Sequence, residues 1–548
     1  MTRRPALVAA LGLALVAALW ALRVAVLAGY PAVVSPDCGI RLAMVQSYMS
    51  GGSLVRVDRP SQLHPLRFGL AELPSGTWYF YPPLFPLLSA FPYRVAGLPG
   101  LLVLPFVAGL LACGLTAAAG RRLGLGSWPA LGPITGLATA LFFYSVVFWD
   151  PALVIACAAL AAFGMARGDV PGGALAGAAL GAGAFLHEML IFLGAAVVLA
   201  GLLSRATRRP SVAALATFGA GLAAWAATNL AHFGRLEGAH VSGGNVTGVG
   251  WLLGGVEPGQ LWARVVEQVG GVPSDAPAHV LALAFAVGLF LFVRWNPAPR
   301  LLVPSALVGG VVLSLAADRT NGVVHGLFTA SPLLLLALLA PLAAKPGART
   351  EDVVAAWMAR SSLLFGVAVL LLPFGPGFGW GSRYLLTSLP LLVLLAAREA
   401  EKVLRPAESG ARPVLARAAL AVALAASVVL QFRGTHRVRE ALRGWTVLFS
   451  EAERSPAEVV VTDELSVGPC LAPLGLSKAI LYVDRPGLER AVLERLERGG
   501  TRAIGWIGSD AGLARLEAEL AAARPPFERA AAKDAGRVRA LVRSPGRP

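Results

Sequence analysis

Charged residues are scarce in this chain. Only 14% of its residues are Asp, Glu, Lys or Arg, whereas 56% are hydrophobic. In a soluble globular protein roughly a quarter of the residues are charged, so the composition excludes a soluble cytosolic enzyme. Disordered segments have a far lower apolar content, so disorder is excluded as well.

Cysteine and cofactor-binding motifs are also scarce. The four cysteines, Cys38, Cys113, Cys157 and Cys470, form no CxxC or Cys/His spacing. Neither a zinc site nor a disulfide framework is therefore predicted. The C-terminal segment carries no GxGxxG or P-loop motif, so the sequence predicts no nucleotide site. No resident cofactor is expected, and a role for a divalent metal stays open.

Positive charge, in contrast, is in excess. The formal net charge is +16, but the cations lie in short arginine clusters between apolar blocks and do not form one basic face. Clusters of this kind are typical of membrane topology signals. Nucleic acid is therefore not expected as a partner, whereas membrane lipids are.

The apolar residues occur in repeated blocks of about 17 to 23, the length at which a helix crosses a hydrocarbon layer of roughly 30 Å. The fold class predicted is an α-helical polytopic protein of a bacterial inner membrane, with about thirteen transmembrane helices. The predicted spans are 6–28, 97–118, 128–148, 151–166, 170–186, 188–204, 212–231, 277–294, 300–317, 323–343, 361–376, 384–400 and 413–431.

The arginine and lysine clusters predict the orientation. With the N-terminus in the cytoplasm, the clusters between spans fall on the cytoplasmic side, as the positive-inside rule requires. This result depends on dividing the block 170–204 at His187-Glu188, because ionisable residues are costly at bilayer depth. The cytoplasmic clusters are then Arg121-Arg122, Arg205 to Arg209, Arg294 with Arg300, Lys345 with Arg349, and Arg398 to Arg417.

Two long segments lie on the far side of the membrane in this topology. The first outer loop, 29–96, is too long for a simple connector. Helical spacing over 40–49 and an apolar stretch ending at Ala96 predict two interfacial helices in it. After the transmembrane domain 1–431, residues 432–548 predict a non-cytoplasmic soluble α/β domain. Its expected strands are 459–461, 479–483 and 502–507, and its expected helices are 488–496 and 513–520.

Ionisable residues from distant parts of the sequence gather on this far side. They are Asp37, Asp150, His187-Glu188, Asp318-Arg319 and Arg383. Carboxylates at a membrane surface, with an arginine and a histidine, suit a reaction in which a hydroxyl or amine is deprotonated and a phosphate leaves. The guanidinium would hold the phosphate oxygens in bidentate fashion.

Several motifs together resemble the GT-C superfamily of membrane glycosyltransferases. They are an Asp soon after the first span, a Tyr-Pro-Pro-Leu segment beginning at Tyr81, an Asp opening the fourth span, and the late sequence GWGSRYLLTSLPLL. The chain is most similar to the branch with lipid A aminoarabinose transferase and protein O-mannosyltransferases. The resemblance implies an inverting glycosyltransferase that moves a sugar from a polyprenyl-phosphate carrier to a lipid, glycan or protein acceptor on the non-cytoplasmic face.

The resemblance also implies roles for individual residues. Asp37 matches the catalytic acidic residue of the first loop, and Asp150 the acidic residue at the start of span four. Arg383 matches the arginine near the carrier phosphate. The other substrate-binding candidates are His187, Glu188, Tyr81 and Arg319, and no metal ligand is assigned. The chain departs from its relatives in having Asp37-Cys38 in place of an Asp-Glu pair, and Tyr81 in place of a histidine before the prolines.

Structural explanations compete with these roles. Asp37 and Asp150 could each cap a helix, His187-Glu188 could form a hydrated hairpin tip, and Arg383 could anchor the chain at the interface. A transporter or flippase of a polyprenyl-linked sugar is the alternative function. Transporters place ionisable residues at mid-bilayer on broken helices, whereas here they cluster at span ends.

Overall fold

The computed structural model describes most, but not all, of the chain. The described residues are 4–31, 33–57, 64, 66, 69–73, 75–238, 268, 307–312, 314, 326–372, 381–404, 412–476, 478–483, 487–521, 527–529 and 537–543. They form two compact units. One comprises residues 1–26, 102–232 and 248–437, and the other comprises 27–101, 233–247 and 438–548.

Helices dominate the first unit. Apart from short 3-10 turns, they are α1 (Arg4–Leu27), α4 (Val103–Arg122), α5 (Trp128–Leu137), α6 (Leu141–Ser145), α7 (Pro151–Arg167), α8 (Val170–Gly183), α9 (Met189–Leu202), α10 (Arg208–Phe233), α11 (Leu327–Ala330), α12 (Thr350–Leu371), α13 (Leu389–Leu404) and the first part of α14 (Arg412–Arg454). The second and third helices of the chain belong to the second unit, which α14 enters at Val438.

Five helices among the described residues are long and apolar enough to cross a membrane. They are Arg4–Leu27, Leu98–Arg122, Arg208–Phe233, Thr350–Leu371 and Val414–Arg454. Helices α7, α8 and α9 are apolar but shorter. The chain is a multi-pass membrane protein, while the count of about thirteen spans stays a prediction. The expected spans 277–294 and 300–317 fall largely outside the described residues.

The division of the block 170–204 is confirmed. Helix α8 ends at Gly183 and α9 begins at Met189, so His187 and Glu188 lie in the turn between them. A turn lets both side chains avoid the hydrocarbon layer, where they would be costly.

The expected span 128–148 is wrong as a single helix. The hydroxyl of Thr139 donates to the carbonyl oxygen of Thr135 at 2.5 Å and accepts the Leu141 backbone N–H at 3.3 Å. These side-chain hydrogen bonds locally replace the backbone hydrogen bonds of a helix, and α5 ends at Leu137. The expected span 323–343 is interrupted as well, because α11 stops before Ser331-Pro332 and a 3-10 turn follows at Pro332–Leu339.

The last predicted span continues far beyond its expected end at residue 431. Helix α14 has 43 residues, a length of about 64 Å at 1.5 Å per residue. This is roughly twice the hydrocarbon thickness, so the helix must project well out of the membrane. The change to charged residues at Arg433 marks the exit from the apolar layer and not the end of the helix.

The second unit contains the first long loop. Its elements are α2 (Pro36–Met49), the antiparallel hairpin β1 (Leu70–Leu73) with β2 (Gly76–Tyr79), and α3 (Leu84–Ala96). The two helices expected in the loop are confirmed, whereas the hairpin between them was not predicted. Their location at the membrane interface stays a prediction.

A five-stranded sheet forms the C-terminal part of the second unit. The elements of this part are β3 (Val459–Thr462), α15 (Val467–Cys470), β4 (Ala479–Tyr482), α16 (Leu488–Arg498), β5 (Ala503–Ile507), α17 (Asp510–Ala521), β6 (Phe527–Arg529) and β7 (Arg539–Arg543). The strand order is β4-β3-β5-β7-β6, with the first three strands parallel and the last two pairings antiparallel. The three strands and two helices expected from sequence are confirmed; β6 and β7 were missed.

Both faces of this sheet are covered. Helices α16 and α17 pack on one face, where Val461, Val492 and Trp506 are buried. On the other face, the end of α14 contributes Leu448 and Phe449. The end of α14 therefore covers one face of the sheet, which explains why the helix continues so far. The division into 1–431 and a soluble 432–548 stays a prediction.

The predicted orientation can be tested with single cysteines and a membrane-impermeant maleimide, in a background without the four native cysteines. Exposed positions are Ser50 and Glu497 on the predicted outer side, and Gly126 and Ala343 on the cytoplasmic side. We expect Ser50→Cys and Glu497→Cys to label in intact cells, and Gly126→Cys and Ala343→Cys only after permeabilisation. Equal labelling of Ser50→Cys and Gly126→Cys in intact cells would contradict the topology.

Candidate functional site

Asp37 lies in the first turn of α2, but it does not cap that helix. The N-cap is Ser35, whose side chain accepts the Cys38 backbone N–H at 3.3 Å. Pro36 occupies the first turn, where its missing N–H costs no hydrogen bond. The capping explanation for Asp37 is therefore wrong. Its carboxylate lies at the positive end of the helix dipole, which favours the ionised form.

The Asp37 carboxylate is held by Tyr81. The Tyr81 hydroxyl donates to Asp37 Oδ1 at 2.5 Å, so the structure brings these two predicted residues together. Tyr81 is only 8% exposed and packs in a cluster with Ile40, Met44 and Tyr79. Two prolines follow immediately and precede the start of α3, which fixes the backbone direction beside the tyrosine.

Arg41 completes this cluster and was missed by the sequence analysis. Its guanidinium carbon lies 4.0 Å from the centre of the Tyr81 ring, and its Nη1 donates to the Asp37 backbone oxygen at 3.2 Å. Arg41 is 3% exposed. The available signal was its spacing, because residues i and i+4 of a helix share one face. We call Asp37, Arg41 and Tyr81 the carboxylate cluster.

Helix α2 approaches the segment 467–470 very closely beside this cluster. A Cβ atom on Gly39 would lie 2.0 Å from the backbone oxygen of Pro469. Cys38 and Cys470 are both buried free thiols. Burial, with Cys38 and Asp37 nearby, raises the pKa of the Cys470 thiol well above its usual range. Cys470 is therefore a neutral packing residue.

Arg383 is held by aromatic rings in the other compact unit. Its guanidinium carbon lies 4.9 Å from the Tyr384 ring centre and 5.7 Å from that of Trp149. Its Nη2 also donates to the Tyr384 hydroxyl at 2.8 Å. Trp149 and Tyr384 were not predicted, although each adjoins a predicted residue in sequence. We call Arg383, Trp149 and Tyr384 the guanidinium cluster.

The turn before Arg383 is conformationally demanding. Gly381 has a φ of +80°, and a Cβ there would lie 2.7 Å from the Ala140 Cβ. Ser382 also has a positive φ, of +51°, which is uncommon outside glycine. Its hydroxyl donates to the Gln268 side-chain oxygen. Backbone strain of this kind is found preferentially at functional sites.

Asp150 follows Trp149 and opens α7. It occupies the N-cap position, but its side chain makes no capping hydrogen bond. It is 2% exposed. Burying a carboxylate is costly. Because this carboxylate does not cap the helix, its burial must have another reason. The structure thus removes the simple capping explanation for Asp150.

His187 and Glu188 lie close to the guanidinium cluster. The His187 ring is 6.0 Å from the Tyr384 ring, centre to centre. His187 Nδ1 accepts the Met189 backbone N–H at 3.2 Å and lies 3.7 Å from Glu188 Oε2. Because Nδ1 accepts a backbone N–H, it cannot also donate to Glu188, and the 3.7 Å approach is too long for a hydrogen bond. Both side chains are mostly buried, which argues against a hydrated hairpin tip.

The structure therefore assembles the predicted residues in two groups. Asp37 and Tyr81 belong to one compact unit, and Asp150, His187, Glu188 and Arg383 belong to the other. Arg319 lies outside the described residues. Within the part of the chain that is described, no three His, Cys, Asp or Glu side chains are grouped so as to hold a metal ion.

A cavity of about 490 Å³ lies elsewhere in the first unit. It is lined by Arg4, Arg121 and Trp128 among others, all at the predicted cytoplasmic side. None of the predicted site residues borders it. The cavity is therefore not part of either cluster.

Comparison with known proteins identifies the fold. No protein-family profile matches the chain, and no curated protein matches it in sequence. The crystal structure of ArnT from Cupriavidus metallidurans bound to undecaprenyl phosphate is similar over 98% of both chains, with a TM-score of 0.51 and 14% identity. The apo structure of the same ArnT gives a TM-score of 0.50 with 13% identity and the same coverage. The chain therefore has the fold of ArnT, which agrees with the fold that the resemblance in sequence implied.

The close approach at Gly39 leads to a stability prediction. We expect Gly39→Ala to lower the midpoint of thermal unfolding, since the new methyl group meets backbone atoms and overpacking costs about 1–3 kcal/mol. Gly114→Ala, in α4, is the matched control because its Cβ would meet nothing within 4 Å. Unfolding of the detergent-purified protein measures both. A Gly39→Ala midpoint equal to that of Gly114→Ala would contradict the packing of α2.

Proposed function

We propose that this chain is an inverting glycosyltransferase, which transfers a sugar from a polyprenyl-phosphate carrier to a lipid, glycan or protein acceptor on the non-cytoplasmic face. The observation that carries the proposal is the Asp37 carboxylate, held at 2.5 Å by the Tyr81 hydroxyl at the start of α2. The fold of an ArnT crystallised with undecaprenyl phosphate supports the choice of carrier.

Asp37 is proposed to act as the general base. It would accept a proton from the acceptor hydroxyl or amine while the acceptor oxygen or nitrogen forms a bond to the anomeric carbon. The bond from that carbon to the carrier phosphate breaks on the opposite face. Tyr81 and Arg41 restrict the rotation of Asp37 and its helix turn, so the carboxylate is positioned before substrate arrives.

Arg383 is proposed to bind the carrier phosphate. Negative charge on the phosphate grows as the sugar leaves, and a guanidinium stabilises it through two parallel hydrogen bonds. The rings of Trp149 and Tyr384 fix the position of the guanidinium without neutralising it. An arginine that only anchored the chain at the interface would not need a strained turn and two aromatic contacts.

The remaining predicted residues receive supporting roles. Asp150 is proposed as the second acidic residue of the reaction, and His187 with Glu188 as substrate-binding groups beside Tyr384. Arg319 stays a substrate-binding prediction. The bacterial inner membrane, with an extracytoplasmic C-terminal segment, is the proposed location.

The direct test incubates the purified protein with radiolabelled polyprenyl-phosphate sugars and a membrane extract. A labelled product that forms only with protein identifies both the sugar and the class of acceptor. A flippase, in contrast, would invert the carrier across a vesicle membrane without forming product. Inversion without transfer would overturn the proposal.

For Asp37, we expect Asp37→Asn to lower kcat by about 10²- to 10⁴-fold, the loss associated with removal of a general base. Donor binding should change little, because the carboxylate acts on the acceptor. Single-turnover transfer and donor binding are measured separately. Glu497→Gln, on the exposed face of α16, controls for the loss of one carboxylate, and near-normal turnover of Asp37→Asn would refute the assignment.

For Arg383, we expect Arg383→Ala to weaken donor binding as well as turnover, because it removes a charge-assisted contact worth roughly 1.5–3 kcal/mol. Arg383→Lys should restore only part of the affinity, since an ammonium lacks the planar fork of the guanidinium. Binding of the labelled donor is the measurement. Arg490→Ala, at a highly exposed arginine, is the control, and wild-type donor affinity in Arg383→Ala would remove Arg383 from the site.

A further inference from the structure

A basic segment follows the last predicted span directly. Residues 433–443 of α14 contain Arg433, Arg437, Arg439 and Arg443 but only one acidic residue, Glu440. The predicted topology places this segment on the non-cytoplasmic side. Arginines near span ends are disfavoured on that side by the positive-inside rule, so their concentration there calls for an interaction that compensates.

Two of these arginines meet at Tyr30. The Nε atoms of Arg439 and Arg443 donate to the Tyr30 hydroxyl at 3.2 Å and 3.3 Å. The two arginines are one helical turn apart, and like charges at that spacing destabilise a helix. Among the residues that the structure describes, no carboxylate lies within 4.0 Å of either guanidinium. A shared neutral hydroxyl leaves their two positive charges uncompensated.

The position of Tyr30 shows at what depth relative to the membrane Arg439 and Arg443 lie. Helix α1 ends at Leu27, so Tyr30 lies three residues beyond the end of this helix, at the edge of the hydrocarbon layer. The hydrogen bond from Arg439 chiefly lowers the pKa of the Tyr30 hydroxyl below its usual value; burial opposes this and the hydrogen bond from Arg443 adds to it. The shift indicates a positive local potential at the height of the lipid headgroups.

We propose that Tyr30, Arg439 and Arg443 bind the phosphate headgroup of an anionic lipid in the non-cytoplasmic leaflet. Both guanidiniums use Nε for the tyrosine, and their terminal nitrogens can donate to phosphate oxygens, the geometry in which arginine is strongest. Because the site is at the membrane edge, its occupant is a lipid and not a soluble phosphate. The site shares no residue with the carboxylate and guanidinium clusters and does not depend on the proposed transferase activity.

Native mass spectrometry of the detergent-purified full chain tests this inference, with phosphatidic acid as the probe. Phosphatidylcholine and inorganic phosphate serve as competing probes. We expect wild type to retain phosphatidic acid in preference to phosphatidylcholine, and millimolar inorganic phosphate not to displace it. The double variant Arg439→Gln with Arg443→Gln should bind phosphatidic acid at least about tenfold more weakly, as expected for loss of charge-assisted contacts.

Controls separate this site from general charge and from catalysis. Arg490→Gln with Arg498→Gln removes the same charge from the exposed face of α16 and should leave binding unchanged. Asp37→Asn should also bind phosphatidic acid as wild type does, whether or not sugar transfer occurs. If the Gln variant does not fold, Arg439→Lys with Arg443→Lys retains charge and should show an intermediate loss. Equal retention by wild type and the folded variant, or displacement by inorganic phosphate, would overturn the proposal.

Discussion

The cost of a charge in hydrocarbon explains the break that places His187 and Glu188 between two helices. His187 and Glu188 lie in a break between α8 and α9, although the apolar sequence on both sides would otherwise form one long helix. Arg383 follows a strained turn in the same way. Several of the candidate site residues accordingly lie where helices begin or end: Asp37 in the first turn of α2, Asp150 at the N-cap of α7, and His187 and Glu188 between α8 and α9.

The elements predicted best are those whose signal is local. Helix α2, helix α3 and the three parallel strands of the sheet follow from hydrophobic spacing within a few residues. The β1-β2 hairpin was missed because its strands have four residues each, too few for a clear alternation. The break of the helix at Thr139 was missed because it depends on hydrogen bonds of the threonine hydroxyl, which a hydropathy pattern does not show. The extension of α14 was missed because a change in composition marks the membrane surface but not the helix end.

The candidate site residues were predicted one by one, whereas the residues that they contact were not predicted. Asp37 and Tyr81 are 44 residues apart, and sequence gives no reason for a hydrogen bond between them until α2 and the Tyr-Pro-Pro segment pack together. Arg41 resembles an ordinary interfacial arginine in sequence, since long cationic side chains often reach to the membrane surface. Its burial at 3% exposure separates it from that class. Trp149 similarly resembles a membrane-belt tryptophan until the position of Arg383 is known.

Arg41 and Arg383 are held in the same physical way, although opposite tasks are proposed for them. Each guanidinium lies over a tyrosine ring, at 4.0 Å for Arg41 and 4.9 Å for Arg383. A ring face attracts a cation through its quadrupole and holds it in place, but it carries no formal charge. Beside Asp37, such a cation stabilises the ionised carboxylate electrostatically. Beside Trp149 and Tyr384, the rings add no formal charge that would compete with the carrier phosphate proposed to bind Arg383. An aspartate or glutamate in place of either ring would also hold the arginine, but it would add a negative charge beside the guanidinium that the proposed roles do not call for.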